Sequence, residues 1–171
     1  MATMRIPFGT MTITPTSKRL VMDCLERGRV SGGKLVREFE EKVASLLGVS
    51  EVVGVSSGTD ADTLALAVLH DFGANRGDEC IVPALSYVAT GHAVIHAGFR
   101  PVFVDIDPDT LNLNVAAVEA AITPRTKAIM PVHVMGKPAP MDEITAIAQK
   151  HRLFVIEDAA EAWGALYKGK P

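Results

Sequence analysis

Three short stretches carry residue types that could do chemistry, and each follows directly on an apolar run. Ser56, Ser57, Gly58 and Thr59 stand between the run at 52–55 and a helical pattern. Small residues with free backbone N–H groups at a helix N-terminus attract an anion, and flanking hydroxyls add donors. The same residues also serve as a plain N-cap. Asp60 and Asp62 in the first helical turn suit the helix dipole but compete with a phosphate. Glu157 and Asp158 end the run at 153–156. An acid emerging from a buried strand into a cleft can hold a cation or a protonated ring nitrogen. Ala159 and Ala160 leave room for a flat ligand, although a carboxylate there could equally cap the next turn. Tyr87, just past the run at 80–83, could stack on a planar ligand or pack as a half-buried core ring.

Other chemistries have less footing. His92 and His96 are four apart on a helical pattern, but there is no HExxH frame and no third ligand, so no metal is expected. Of the five histidines, His133 is the one expected to line the cleft, because it follows the run at 129–132. No GxSxG elbow occurs, and Cys24 and Cys80 lack a catalytic setting, which disfavours hydrolases. The 171 residues carry 17 Lys+Arg against 20 Asp+Glu, a net charge of -3. Neutralising phosphates takes a concentrated basic face, so nucleic acid is not an expected partner. Two isolated cysteines argue against a disulfide framework or a cysteine zinc site.

Nothing in the first residues, MATMRIPF, pairs a basic segment with an apolar one, so no secretory signal is read there. The most apolar window, 81–99, is broken by Pro83, His92 and His96 and falls short of the ~20 apolar residues of a membrane span. A cytoplasmic protein with no membrane partner is the expectation.

These stretches need a frame to bring them together. Apolar runs at 52–55, 80–83, 101–105, 128–131 and 153–157 predict five strands. Helical patterns occupy 60–70, 87–96, 115–122 and 141–151 between them, and 15–27 and 34–47 before them, the last two joined by 28–33. Short apolar runs alternating with periodic segments indicate an α/β fold, a mostly parallel sheet with helices on both faces. Ligands of such sheets sit beyond the carboxyl ends of the strands, where all three stretches lie.

Seven stretches at ordered spacing carry a resemblance: SGGKLVREFE at 31–40, SSGTD at 56–60, GDECIVP at 77–83, SYVAT at 86–90, PVFVDID at 101–107, PVHVMG at 131–136 and EDAAEA at 157–162. Together they resemble the DegT/DnrJ/EryC1/StrS family, the pyridoxal-phosphate sugar aminotransferases of the aspartate aminotransferase superfamily, fold type I. The resemblance implies pyridoxal 5'-phosphate as cofactor. Gly58 and Thr59 would hold its phosphate through backbone N–H groups. Tyr87 would stack on one ring face, with Ala160 packing on the other. Asp158 would pair with the pyridinium nitrogen, keeping it protonated so that the ring acts as an electron sink. Glu161 would lie near the ring hydroxyl, where family members often carry Gln, and Trp163 stands where many have His. Family members move an amino group, usually from glutamate, to a keto group on a nucleotide-linked sugar. They are commonly homodimers with the cleft at the interface.

By the same resemblance, residues 1–50 are an N-terminal helical segment and 51–171 the first part of the cofactor-binding large domain, without its C-terminal part or the small domain. The implied Schiff-base lysine falls in a Ser-Phe…Lys segment beyond Pro171, so no catalytic residue is assigned. Lys168 and Lys170 come too early, in a turn. The run at 52–55 is implied to lie beside a strand contributed after that lysine, and without it has unpaired backbone groups. The chain is expected to be inactive and poorly stable by itself. The alternatives are a dehydratase of the same family, with histidine replacing the lysine, and a non-catalytic truncated product. A generic dinucleotide binder is disfavoured by the missing glycine fingerprint.

Overall fold

The computed structural model describes residues 11–28 and 30–171; the opening residues read for a signal, and Arg29 of the 28–33 connector, lie outside the described residues. Helix α1 (Pro15–Glu26) starts at Thr14, whose side chain accepts from the Ser17 N–H, with proline at the first helical position. α2 (Lys34–Leu47) stops at Gly48, whose φ of 67° is the left-handed conformation that ends a helix. α3 (Gly58–Ala67) runs into a 3-10 turn at Val68–Phe72. There follow β1 (Glu79–Pro83), α4 (Val88–His96), β2 (Arg100–Val104), α5 (Val115–Ala120), β3 (Thr126–Ile129), α6 (Met141–His151) and β4 (Phe154–Val155). No helix among the described residues is long and apolar enough to cross a membrane.

The four strands are parallel, in the order β2-β1-β3-β4. β1 is buried along its whole length, and its alternation divides the core. Cys80 and Val82 join Leu66, Ala93, Val94 and Met130 on the α3/α4 side, whereas Ile81 joins Val118, Ile129, Ile144 and Ala148 on the α5/α6 side. A strand covered on both faces must be apolar throughout, which is why its sequence reads as an unbroken run. Burial pushes the Cys80 thiol up, leaving it inert as a nucleophile. The amino end of the sheet is closed by Glu79, fully buried. It accepts from the Thr123 and Thr126 hydroxyls at 2.6 and 3.3 Å, from Arg125 Nη2 at 2.9 Å, and from the Arg100 guanidinium.

Residues 52–55 do not form the expected first strand. No strand lies beside them among the described residues, so their backbone has no ladder to join. The segment is tied instead to α2, through the Gly54 N–H donating to Glu40 Oε1 at 2.7 Å, and Val53 stays exposed. The last strand is also shorter than its apolar run, because past Val155 only Asp158 makes an isolated parallel bridge, to Val132.

Candidate functional site

Parallel strands all end on the same side, so the loops after β1, β3 and β4 converge there. Asp158 lies three residues beyond β4. Its N–H donates to the Pro131 carbonyl at 2.9 Å, and its own carbonyl accepts from the His133 N–H at 3.1 Å. Tied to that loop, its side chain is only 7% exposed. Oδ2 accepts from the Thr90 hydroxyl at 2.9 Å, and Oδ1 from the Ala160 N–H at 3.2 Å. No cationic side chain pairs with it among the described residues. A buried carboxylate satisfied only by neutral donors retains a strong attraction for a cation.

Asp158 lines a cavity of about 370 Å³ together with Tyr87, Ala160 and Glu161, with Val132 and Val134 among its apolar walls. Tyr87 is the N-cap residue of α4 and is 75% exposed, so its ring is not the half-buried core ring that a lone tyrosine commonly is. Glu161 Oε2 accepts from the Met135 N–H at 2.6 Å. Met135 has φ 53°, left-handed and uncommon for a residue with a side chain, and Gly136 follows at φ 81°. A backbone donor therefore meets part of the Glu161 charge at the wall of the cavity.

The 56–59 loop turns its hydroxyls inward. Ser57 caps α3 by accepting from the Asp60 N–H at 3.1 Å, and both Ser56 and Ser57 donate to the Asp60 carboxylate. These bonds, Ser56 first and Ser57 second, hold the Asp60 carboxyl below the usual carboxylate range. Those two hydroxyls are thus not the free anion donors expected. The N–H groups of Gly58 and Thr59, however, have no protein acceptor among the described residues, and a Cβ on Gly58 would meet nothing within 4 Å. Two open N–H groups at the start of a helix form an anion seat. This loop is not part of the cavity lining. The structure brings Tyr87, Asp158, Ala160 and Glu161 together, and Gly58 and Thr59 are not among the residues that line their cavity. Asp62 of α3 connects the two regions: burial first, and the Asp158 charge second, push its carboxyl up to about 7.

His133 does not line the cavity. Its Nδ1 accepts from the Ala139 N–H at 3.0 Å, which leaves the ring proton on Nε2, where it is donated to Glu157 Oε2 at 2.9 Å. Alternation along the chain sends Glu157 to His133 and Asp158 to the cavity. His92 and His96 face each other edge-on with ring centres 6.2 Å apart, and no cluster of three ligating side chains occurs among the described residues. Lys168 pairs with Asp142, and Tyr167 and Lys170 bond each other across the expected turn. Ser86 and Thr90 bound the SYVAT stretch but had no role assigned from it; two hydroxyls four apart at the start of a helix were the available signal. Nothing in the sequence marks Met135 for a left-handed backbone except the glycine after it.

The sequence profile of the DegT/DnrJ/EryC1/StrS aminotransferase family matches residues 12–171. The chain is 44% identical over 167 residues to a GDP-perosamine synthase of Caulobacter vibrioides, covering 97% of this chain and 44% of that protein. It is 51% identical over 138 residues to a UDP-N-acetyl-3-dehydro-alpha-D-glucosamine 3-aminotransferase of Acidithiobacillus ferrooxidans, covering 81% and 37%. Among solved structures, E. coli GDP-4-keto-6-deoxy-D-mannose-3-dehydratase with bound hydrated PLP matches with a TM-score of 0.88 at 33% identity, over 96% of this chain and 43% of that one. DesV of S. venezuelae, in complex with a ketimine intermediate, matches with a TM-score of 0.82 at 41% identity, over 90% and 40%. The chain spans less than half the length of each of these relatives.

Proposed function

The chain belongs to the DegT/DnrJ/EryC1/StrS aminotransferase family, and from that premise we propose that it is part of an enzyme that moves an amino group from glutamate onto a keto sugar carried by a nucleotide. Pyridoxal 5'-phosphate is the cofactor. Gly58 and Thr59 seat its phosphate with their open N–H groups. Tyr87 and Ala160 cover the two faces of its ring, Asp158 holds the ring nitrogen, and Glu161 lies beside the ring hydroxyl. The complete protein acts as a homodimer in the cytoplasm.

The observation that carries this reading is Asp158, 7% exposed, compensated by neutral donors alone and set in a cavity beside an unpacked aromatic ring. A protonated ring nitrogen is the cation such a carboxylate favours. When bound, pyridoxal phosphate supplies an electron sink at the carbon that loses a proton. The protein's part is to bind, orient and exclude water. Asp158 keeps the proton on the ring nitrogen, and the apolar walls from Val132 and Val134 lower the local polarity and strengthen that attraction. Met135 N–H engages one Glu161 oxygen and so holds that side chain at the cavity wall.

No lysine lines the cavity among the described residues. In this reading these residues hold the cofactor, and no Schiff-base lysine is assigned among them. A second reading, a sugar dehydratase with the same cofactor seat, is favoured by the dehydratase match at a TM-score of 0.88. Equilibrium dialysis tests the seat: the full chain should take up pyridoxal phosphate at one site, and Asp158→Ala should weaken uptake about 100-fold. Equal binding by the two would overturn the assignment. Borohydride should leave no stoichiometric reduced adduct on any single lysine of these residues.

A further inference from the structure

Ser86 and Thr90 flank the first turn of α4 with their hydroxyl oxygens 2.7 Å apart. Thr90 is 1% exposed and donates to Asp158 Oδ2 at 2.9 Å. An ionised carboxylate only accepts, so the single Thr90 proton is committed to Asp158. The Thr90 oxygen then has only lone pairs to offer, and Ser86 must be the donor in the bond between them. Both proton directions follow: Ser86 to Thr90, and Thr90 to Asp158. Each donation polarises the next, and burial removes the water that would compete.

We infer that Thr90, backed by Ser86, is a positioning residue that holds the Asp158 side chain in place and aims it at the ring nitrogen of the cofactor. This rests on the reading of Asp158 given above. The chemical need for such a device lies in the neighbours. Asp62 reaches Asp158 electrostatically from α3, and Glu161 shares its cavity, so two other carboxyls oppose its charge. Glu157, next in the chain, is turned to His133, and Tyr87 stands at the head of α4. Against this, among the described residues only the Thr90 hydroxyl and the Ala160 N–H donate to the Asp158 carboxyl. The link spans 68 positions of sequence and ties α4 to the loop after β4.

Pyridoxal phosphate binding to the full chain, measured by equilibrium dialysis across a pH series, tests the role. Thr90→Val keeps the size and removes the proton. It should weaken binding about tenfold at neutral pH, the worth of one hydrogen bond to a charged group. It should also move the acid-side fall in binding upward, because the lost donor favoured the carboxylate over the acid. Thr90→Ser should restore both, and Ser86→Ala should shift both the same way by less. A Thr90→Val protein that melts lower but keeps the parental acid limb would reduce Thr90 to packing and overturn the inference. If Thr90→Val does not fold, an acid limb that fails to move in Ser86→Ala overturns it equally. Asp158→Asn separates this from the underlying reading. Parental binding in Asp158→Asn defeats the assignment of Asp158 itself, whereas weak binding there with parental binding in Thr90→Val defeats only the role of Thr90.

Discussion

The sheet has a buried carboxylate beyond each end, and the two are handled in opposite ways. Glu79, at the amino end of β1, is fully buried and meets two guanidinium groups and two threonine hydroxyls. Asp158, beyond the carboxyl end of β4, is buried almost as deeply and meets one hydroxyl and one backbone N–H. Removing a carboxylate from water costs several kcal/mol, which must be met by charges or donors close by. At Glu79 the chain supplies them all from β2, the loop before β3 and the first residue of β3, so the group closes the fold. At Asp158 the cationic partner is left out, so the group is available to a ligand. The same chemical group serves cohesion at one end and binding at the other, according to the company it keeps.

Substitutions at the two ends should therefore have crossed effects. Glu79→Ala leaves two arginines without their partner and should lower stability by about 3 kcal/mol in urea titrations, without changing cofactor affinity per folded molecule. A loss under about 1 kcal/mol would break the comparison. The Thr123 hydroxyl foremost, then Arg100 and Arg125, hold the Glu79 carboxyl down to about 2 from an ordinary 4.5. Its stabilisation is complete above that ordinary value and is lost as pH falls toward 2. Glu79→Gln should therefore flatten the acid limb of the stability curve. Asp158→Asn should do the reverse of Glu79→Ala, costing affinity about 100-fold while moving stability by less than about 1 kcal/mol.

Asp62 sharpens the contrast. Its carboxyl rises from 3.8 to about 7, so ionising it costs the folded state progressively more as pH climbs between those values. Asp62→Asn should stabilise the protein by about 1 kcal/mol at mildly alkaline pH, after allowance for solvent screening, and have no effect in acid. The smallest effect concerns His70, which stacks on Phe99. Its Nδ1 and Nε2 face the carbonyls of Ala74 and Ala97 at 2.9 and 2.8 Å, so both ring nitrogens need a proton. The Ala97 bond first, then Ala74, raises its pKa. That stabilisation is full below 6.5 and lost as pH rises through the folded value. Nitrogen chemical shifts followed through a pH titration should show the doubly protonated ring persisting above the ordinary 6.5, and loss of its second proton at or below that value would refute the assignment.

Much of this was legible in the chain because local pattern and tertiary burial agree. α2 and α6 coincide with the periodic patterns at 34–47 and 141–151. β1 and its flanking helices lie where unbroken apolar runs alternate with periodic ones. Asp158 and Tyr87 could be singled out because a polar or aromatic residue just past a buried strand has few structural reasons to be there. The run at 52–55 misled, since β-propensity specifies a surface that fits a ladder, and no neighbouring strand is present to provide one. His133 misled for another reason. It follows a strand as Asp158 does, but the Ala139 N–H and Glu157 that hold its two nitrogens come from loops the sequence could not bring near.

By itself the sequence determined where the helices and the paired strands lie and which residues emerge at the carboxyl edge, because period and burial are properties of neighbours along the chain. Only the tertiary structure decided what those residues touch. Thr90 reaches Asp158 across 68 positions, Glu79 meets Arg125 across 46, and Glu161 meets Met135 across 26. Whether a buried carboxylate is saturated or left open depends on such distant donors, and no spacing along the chain encodes them.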